Sequence, residues 1–423
     1  MGGRPAGRGR RHDRARGADG DAAGAPGRVG ELPPEPDGVS PGHAASLTFV
    51  VPARPAGEPS GGDRYDALLA AVWRARGREV HVEAVPGSWP RPTEEDLAGL
   101  ADVLLGAPSA PVTHRSSRRP MCHDSEEGGG PVLLDGLVGC AAPEVVERCA
   151  ARRPTTVLVH AVLSEGAGAS GEDAAAMDRS EARALRAAGA VVATSRFAAE
   201  DLRGRYGLEQ VAVAEPGAEP APLAGGTPPP RGPQLLTLGA VTPGKNHGVL
   251  LEALARVRDL PWTARCVGPA PDPEQLDRLL RLAEGLGLAD RVDWPGPMTG
   301  EALERTWAAT DLLVHPSRSE TYGMVVVEAH AHGIPTVVAA GTGAVEALAG
   351  EAGVAGHPPA GGAPGTAVEV AGPEPLAEVL REWLTGADLR RTWREAAVSR
   401  RGRLRGWDRT AERMDAALAR LGR

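Results

Sequence analysis

Short, almost continuously apolar segments alternate with amphipathic ones along most of this chain, and the alternation runs twice. The first run predicts strands at 46–51, 79–84, 101–105, 131–138, 155–163 and 189–194, with helices near 63–77, 141–151, 174–188 and 196–206. The stretch from Ala214 to Pro233, which contains Pro228-Pro229-Pro230, breaks the rhythm. It then restarts, with strands near 234–239, 263–268, 311–316 and 334–339 and helices near 247–259, 273–286, 300–309 and 323–332. Strands apolar on both faces need cover on both faces, which calls for a parallel sheet between helix layers. The expected fold class is therefore α/β, with two Rossmann-like doubly wound domains. Ligands of such sheets bind at the carboxyl ends of the strands, so the site belongs in a cleft between the domains.

The boundaries follow from the same pattern. Residues 1–45, rich in Gly, Ala, Arg and Pro, offer little to bury and read as a disordered tail, or as an over-extended start of the reading frame. The first domain spans 46–216, a linker 217–233, the second domain 234–400, and a helix 401–423 closes the chain. Residues 106–130 form an irregular insertion ending in Gly128-Gly129-Gly130, either a lid or a disordered loop. The Arg-rich stretch from Arg400 to Arg409 is expected to face solvent, with the other domain or a membrane surface as alternatives.

Composition narrows the function classes. A net charge of −8 argues against a nucleic-acid partner, although local basic patches leave peripheral contact with anionic lipid open. Four cysteines without paired spacing suit a reducing compartment, and no apolar run reaches the ~18 residues of a membrane span, so a cytoplasmic location is expected. The adjacent residues Cys122-His123-Asp124 do not easily chelate one ion together, and His330 and His332 point to different faces of a helix, so no metal site is expected. No Walker loop, HExxH or GxSxG occurs, and the full dinucleotide fingerprint is missing.

Against this background Lys245 stands out as the only lysine beside forty-six arginines, and its neighbour Asn246 is the only asparagine. Residues with A/T-rich codons have almost vanished, so a retained lysine marks a place where arginine is unsuitable, unless drift has simply spared a solvated side chain. It lies between Gly239 and Gly248 in a strand, glycine turn and helix start. A compact ammonium there reaches a phosphate as a point charge, where a guanidinium fork needs more room.

A second element runs from Asp311 to Ala329: a buried strand, a polar loop carrying Glu320, then a helix beginning near Gly323 and carrying Glu328. The N–H groups of Tyr322, Gly323, Met324 and Val325 sit at the positive end of that helix and suit a diphosphate. The two carboxylates can accept hydrogen bonds from vicinal hydroxyls. Alternatively Glu320 caps the helix and Glu328 forms a structural salt bridge. His315 ends the strand, where it either touches the ligand or is a satisfied core residue.

The E-x7-E spacing from Glu320 to Glu328, the strand-loop-lysine element at 239–245 and the two Rossmann-like halves together resemble the retaining GT-B glycosyltransferases of family 4, closely over 234–349 and more loosely before it. The resemblance implies a metal-independent hexosyltransferase without a cofactor. It would move a sugar from a UDP- or GDP-linked donor, bound by the C-terminal domain, to a hydroxyl acceptor on a glycan, lipid or small molecule, bound by the N-terminal domain. It further implies that Lys245 stabilises the departing diphosphate, Glu328 holds the ribose, Glu320 contacts the sugar, and His160 lies near that sugar. Ser60, Gly61 and Gly62 match the glycine loop near the phosphates and acceptor. The arginine that often precedes the lysine is missing: either the site has one positive charge fewer, or Arg318 or Arg196 replaces it. A non-catalytic partner of the same fold, a sugar-nucleotide epimerase or phosphorylase, and an NAD-linked enzyme are the alternatives.

Overall fold

The computed structural model describes residues 46–54, 60–106, 130–166, 169–228, 230–354 and 362–422. The predicted tail, most of the predicted insertion and Cys122-His123-Asp124 lie outside the described residues.

The N-terminal lobe runs β1 (Leu47–Pro52), α1 (Gly61–Ala75), β2 (Val80–Val85), α2 (Glu94–Leu105), β3 (Val132–Asp135), α3 (Gly136–Gly139), α4 (Pro143–Ala150), β4 (Thr155–Val159), α5 (Leu163–Gly166), α6 (Gly171–Ala187), β5 (Ala190–Ala193), α7 (Arg196–Tyr206) and β6 (Ala212–Val213). The C-terminal lobe continues with β7 (Gln234–Leu238), a single 3-10 turn (Pro243–Lys245), α8 (His247–Arg256), β8 (Thr263–Val267), α9 (Pro273–Gly285), β9 (Val292–Gly296), α10 (Gly300–Ala309) and β10 (Leu312–His315). It ends with α11 (Met324–Ala331), β11 (Thr336–Ala339), α12 (Ala344–Val354), β12 (Gly365–Val368), α13 (Glu374–Thr385), α14 (Ala387–Arg401) and α15 (Trp407–Leu418).

The strand orders are β2-β1-β3-β4-β5-β6 and β12-β11-β10-β7-β8-β9, all pairs parallel. Two doubly wound sheets are therefore present, as the apolar rhythm requires. Each order reverses once, between β1 and β3 in the first sheet and between β7 and β10 in the second. Both switch points mark where ligands bind in open α/β sheets. Central strands β3, β4, β10 and β11 are buried at every position, which is why they read as unbroken apolar runs.

Two departures from expectation have physical causes. Residues 101–105, expected to form a strand, are the last turns of α2. The telling signal is the capping box at Thr93 and Asp96, whose side chains and backbone N–H groups bond reciprocally. A short, mostly apolar segment alone does not separate a strand from one face of a buried helix. The strand expected over 131–138 stops at Asp135, whose carboxylate accepts from the N–H of Leu137 at 2.6 Å and starts the turn α3. Strand β6 ends just before residues 214–217, where the resemblance puts the last strand before the linker, and strands β9 and β12 and the helix α12 are not marked by the pattern.

The closing helix is not an appendage. Trp407, Ala411, Met414 and Leu418 of α15 join Leu47, Phe49, Tyr65, Leu69 and Trp73 in one apolar cluster, and the Trp73 indole donates to Asp415 at 2.9 Å. Burial of each such large side chain contributes roughly 1.5–3 kcal/mol. Helix α15 thus packs on the lobe that holds β1 and α1. Among the described residues no helix is long and apolar enough to cross a membrane.

Candidate functional site

A cleft of about 650 Å³ opens over both switch points and takes lining residues from each lobe. On the N-terminal side, α1 follows β1 and starts with a capping box between Ser60 and Asp63. Gly61 faces open space, whereas a Cβ on Gly62 would come within 3.1 Å of the His160 ring. Glycine at 62 therefore lets the imidazole lie against the first turn of α1.

His160 follows β4 and meets two carboxylates. Its Nε2 lies 2.8 Å from Asp66 Oδ1 of α1 and 3.7 Å from Asp135 Oδ2 at the end of β3. Both aspartates are buried, and Tyr65 packs its edge against the imidazole. Burial lowers the His160 pKa, but Asp66 and Asp135 outweigh it and push the value up to about 9. Burial and the charge of Asp66 push Asp135 up to about 8. The imidazole is therefore held as a cation at neutral pH, which suits orientation and charge stabilisation better than nucleophilic attack.

This arrangement has a pH signature. Below the ordinary histidine value of 6.5, folded and unfolded chains both carry the proton; as pH rises towards 9 only the folded chain keeps it. Unfolding free energy is expected to fall across that window by about 1.4 kcal/mol per pH unit for each proton retained. Denaturant titrations at both ends measure it, and His160→Gln should reduce the slope without abolishing it, because Asp135 is also pushed up to about 8. An unchanged slope in that variant would show that His160 does not hold the proton.

On the C-terminal side, the backbone turns sharply between β7 and α8. Asn246 is the only non-glycine among the described residues with a positive φ (60°), a conformation that asparagine tolerates. Its side chain donates to the Val370 carbonyl at 3.2 Å. The solitary asparagine is thus explained by the turn that aims its solitary neighbour. Lys245 Nζ donates to Glu320 Oε2 at 2.7 Å, and His315 Nε2 lies 2.9 Å from the same oxygen. Burial raises the Glu320 pKa, but Lys245 and His315 hold it well below the usual carboxylate range. Glu320 is not the cap of α11. Gly323 takes that place at φ 85°, and no side chain caps the helix. The Glu320 carbonyl accepts instead from Gly343 at 2.6 Å.

Tyr322, Gly323, Met324 and Val325 line the cleft at the amino end of α11, and Glu328 lies one turn further along. Glu328 does form a salt bridge, but to the opposite lobe: Arg64 Nη1 donates to Glu328 Oε1 at 2.8 Å while its Nη2 donates to Glu219 at 2.6 Å. Thr321 Oγ1 also crosses, donating to the His160 carbonyl at 2.5 Å. The structure therefore gathers Gly61, Gly62, His160, Lys245, Glu320, Tyr322, Gly323, Met324, Val325 and Glu328 around one cleft.

Arg64, Asp66 and Asp135 were not anticipated. Arg64 and Asp66 lie just beyond the glycines, but no spacing rule marks residues that meet through three different elements. The expected substitutes for the missing arginine are elsewhere. Among the described residues lining the cleft, the arginines are Arg54 and Arg64; neither Arg318 nor Arg196 is there. His330 and His332 are buried: His332 stacks on Trp307 at 5.1 Å, and His330 lies 3.3 Å from the Thr336 hydroxyl.

Known proteins resemble this chain in part of its sequence and in its fold. Residues 225–400 match the family described as Glycosyl transferases group 1. Similar curated proteins include the D-inositol 3-phosphate glycosyltransferases of Salinispora arenicola (strain CNS-205), 35% identical over 43% of this chain and 46% of that one, and of Actinosynnema mirum, 32% identical over 56% and 58%. The chain thus matches less than two thirds of the length of either relative. The fold is that of GT-B glycosyltransferases. Sucrose-phosphate synthase from Thermosynechococcus elongatus superposes with a TM-score of 0.67 at 18% identity, covering 89% of this chain and 99% of that one. HepE of Anabaena, solved in complex with UDP and glucose, gives 0.64 at 18% identity over the same shares of the two chains.

Proposed function

We propose that this chain is a glycosyltransferase that moves a sugar from a UDP- or GDP-linked donor to a hydroxyl acceptor, with retention at the anomeric carbon. The observation that carries the reading is the Lys245–Glu320–His315 cluster beside the amino end of α11, facing His160 across the cleft. Group 1 resemblance over 225–400 and the fold of UDP-binding neighbours support it. The curated relatives' names point to a phosphorylated polyol as one acceptor class to try first.

In the proposed step the bond between the anomeric carbon and the phosphate oxygen breaks, and the diphosphate leaves with the electron pair. Lys245 and the amides at Gly323 and Met324 stabilise that charge, because preorganised donors in a partly dry site need no reorganisation as the charge develops. The acceptor oxygen bonds to the same face of the sugar, and its proton passes to the departing phosphate oxygen. His160 orients the sugar, through its ring or its carbonyl.

A melting series against UDP-, GDP- and ADP-sugars tests donor class, since a ligand raises stability according to its affinity. No shift with any nucleotide would instead favour a non-catalytic partner, a reading to which the Arg64 bridge over Glu328 lends some weight. The proposed mechanism is metal-independent, so EDTA should leave the rate unchanged. Ligand atoms of Asp66, Asp135 and His160 lie within 4.8 Å of one another. Loss of activity in EDTA, restored by a divalent cation, would give that cluster a metal-binding role and overturn the metal-free step.

A further inference from the structure

The wall of the cleft next to His160 rests on a buried acid that the proposed step does not use. Glu181 lies in α6 and is fully buried, on the face that brings Met177, Ala184 and Leu185 into the apolar cluster of the N-terminal lobe. A carboxyl group in such surroundings costs free energy unless its oxygens are bonded. Here Oε2 accepts from the backbone N–H of Leu163 at 3.1 Å and from the Tyr206 hydroxyl of α7 at 2.7 Å. Leu163 opens α5 just after His160, and the first N–H of a helical turn has no partner inside that turn.

The same turn is tied down at two more points. Ser164 donates to Asp178 of α6 at 2.8 Å, and Glu165 accepts from Arg205 of α7 at 2.6 Å. Glu165 also accepts from Ser319, the neighbour of Glu320 in the opposite lobe. Ala161, Val162, Leu163 and Glu165 line the cleft. The segment therefore has the cleft on one side and Glu181 on the other. The titratable groups that face Glu181 are Asp178 of its own helix, Tyr206 of α7 with Arg205 beside it, and the buried Cys140 thiol at the end of α3. Burial outweighs the bonds from Tyr206, Leu163 and Cys140 and pushes Glu181 up to about 7, so it gains its charge near neutrality.

We propose that Glu181 is a positioning residue for the acceptor. From beneath the cleft it fixes the path from His160 to α5, and with it the wall along which the acceptor hydroxyl approaches the sugar. This role rests on the transferase reading above. A carboxylate accepts a backbone N–H about twice as strongly as a neutral acid does, so the wall is held most firmly when Glu181 is charged. Neither of its bonds reaches Lys245 or α11, so donor binding is independent of it.

Hydrogen exchange of the full chain tests the anchor, read by mass spectrometry on peptides covering 161–166 at about pH 6 and pH 8, either side of the Glu181 value. With intrinsic rates divided out, Glu181→Leu should speed exchange there about tenfold or more and leave the rest of the lobe unchanged. Glu181→Gln keeps an acceptor oxygen without the charge. It should match wild type at the lower pH and lack the protection that wild type gains at the higher one. His160 and Asp135 titrate in both chains, so the difference between them isolates Glu181. Transfer from UDP-glucose to glycerol phosphate, a simple phosphorylated polyol, supplies the second arm. The acceptor KM should rise about tenfold in Glu181→Leu and much less in Glu181→Gln, while UDP affinity by calorimetry stays at the wild-type value. Where glycerol phosphate is not an acceptor, the exchange data decide.

Wild-type exchange over 161–166 in Glu181→Leu overturns the role, as does protection lost evenly through the lobe or an unchanged acceptor KM. If that variant does not fold, Glu181→Gln decides alone: protection that follows wild type at both pH values overturns it. Loosening at 161–166 with no nucleotide bound and no transfer sinks the transferase reading and the acceptor role together. Intact UDP binding and transfer with wild-type exchange sinks only the role of Glu181, so the two failures are distinguishable.

Discussion

Replacing Lys245 with alanine is expected to lower kcat/KM by between about tenfold and a hundredfold or more, the cost of one charged hydrogen bond to the departing diphosphate at roughly 1.5–3 kcal/mol. The structure adds a second consequence. Lys245 is bound to Glu320 at 2.7 Å, and the Glu320 side chain is only 16% exposed. Without the lysine that carboxylate keeps His315 alone, so the variant should also melt earlier. Adding Glu320→Gln should recover melting temperature but not transfer, which separates the structural share of the pair from the chemical one. Steady-state kinetics with an unchanged kcat/KM in Lys245→Ala would remove the catalytic assignment.

Glu328→Ala is expected to weaken UDP or GDP binding by about tenfold to a hundredfold, with a smaller effect on kcat, because two hydroxyl donors lose an ionised acceptor. Arg64 complicates the result usefully. In the structure it occupies Glu328 Oε1, so a ribose hydroxyl must compete with it for that oxygen. Arg64→Ala should therefore leave nucleotide affinity equal or higher, whereas Glu328→Ala lowers it. Calorimetry giving wild-type affinity for Glu328→Ala would reduce the residue to an interlobe bridge. Arg64→Ala losing affinity instead would place its guanidinium on the phosphates, in the role of the arginine that the sequence lacks before Lys245.

Much of the site could be read without coordinates. Gly323, Glu320 and Glu328 sit on one continuous strand-loop-helix segment, and their spacing is local geometry. Lys245 was marked by its rarity, and it does reach the same cleft. The end of helix α2 reads as a strand because four of its last five residues, Ala101, Val103, Leu104 and Leu105, are apolar, and its start signal lies in the capping pair upstream. Asp66 and Asp135 carry no mark at all. An aspartate on an amphipathic helix and another at a strand end are ordinary until β4 brings His160 between them.

What the order of residues determined by itself was periodicity: two runs of buried strands and covering helices, hence two parallel sheets with a cleft at their carboxyl edges. Only the packed chain decided which charges meet. Arg64 finds Glu328, and His160 sits between Asp66 and Asp135. Hydrophobic pattern repeats along the chain and so is visible in one dimension. Electrostatic pairing falls off over a few ångströms of space, and residues hundreds of positions apart acquire that closeness only when the sheets close on each other.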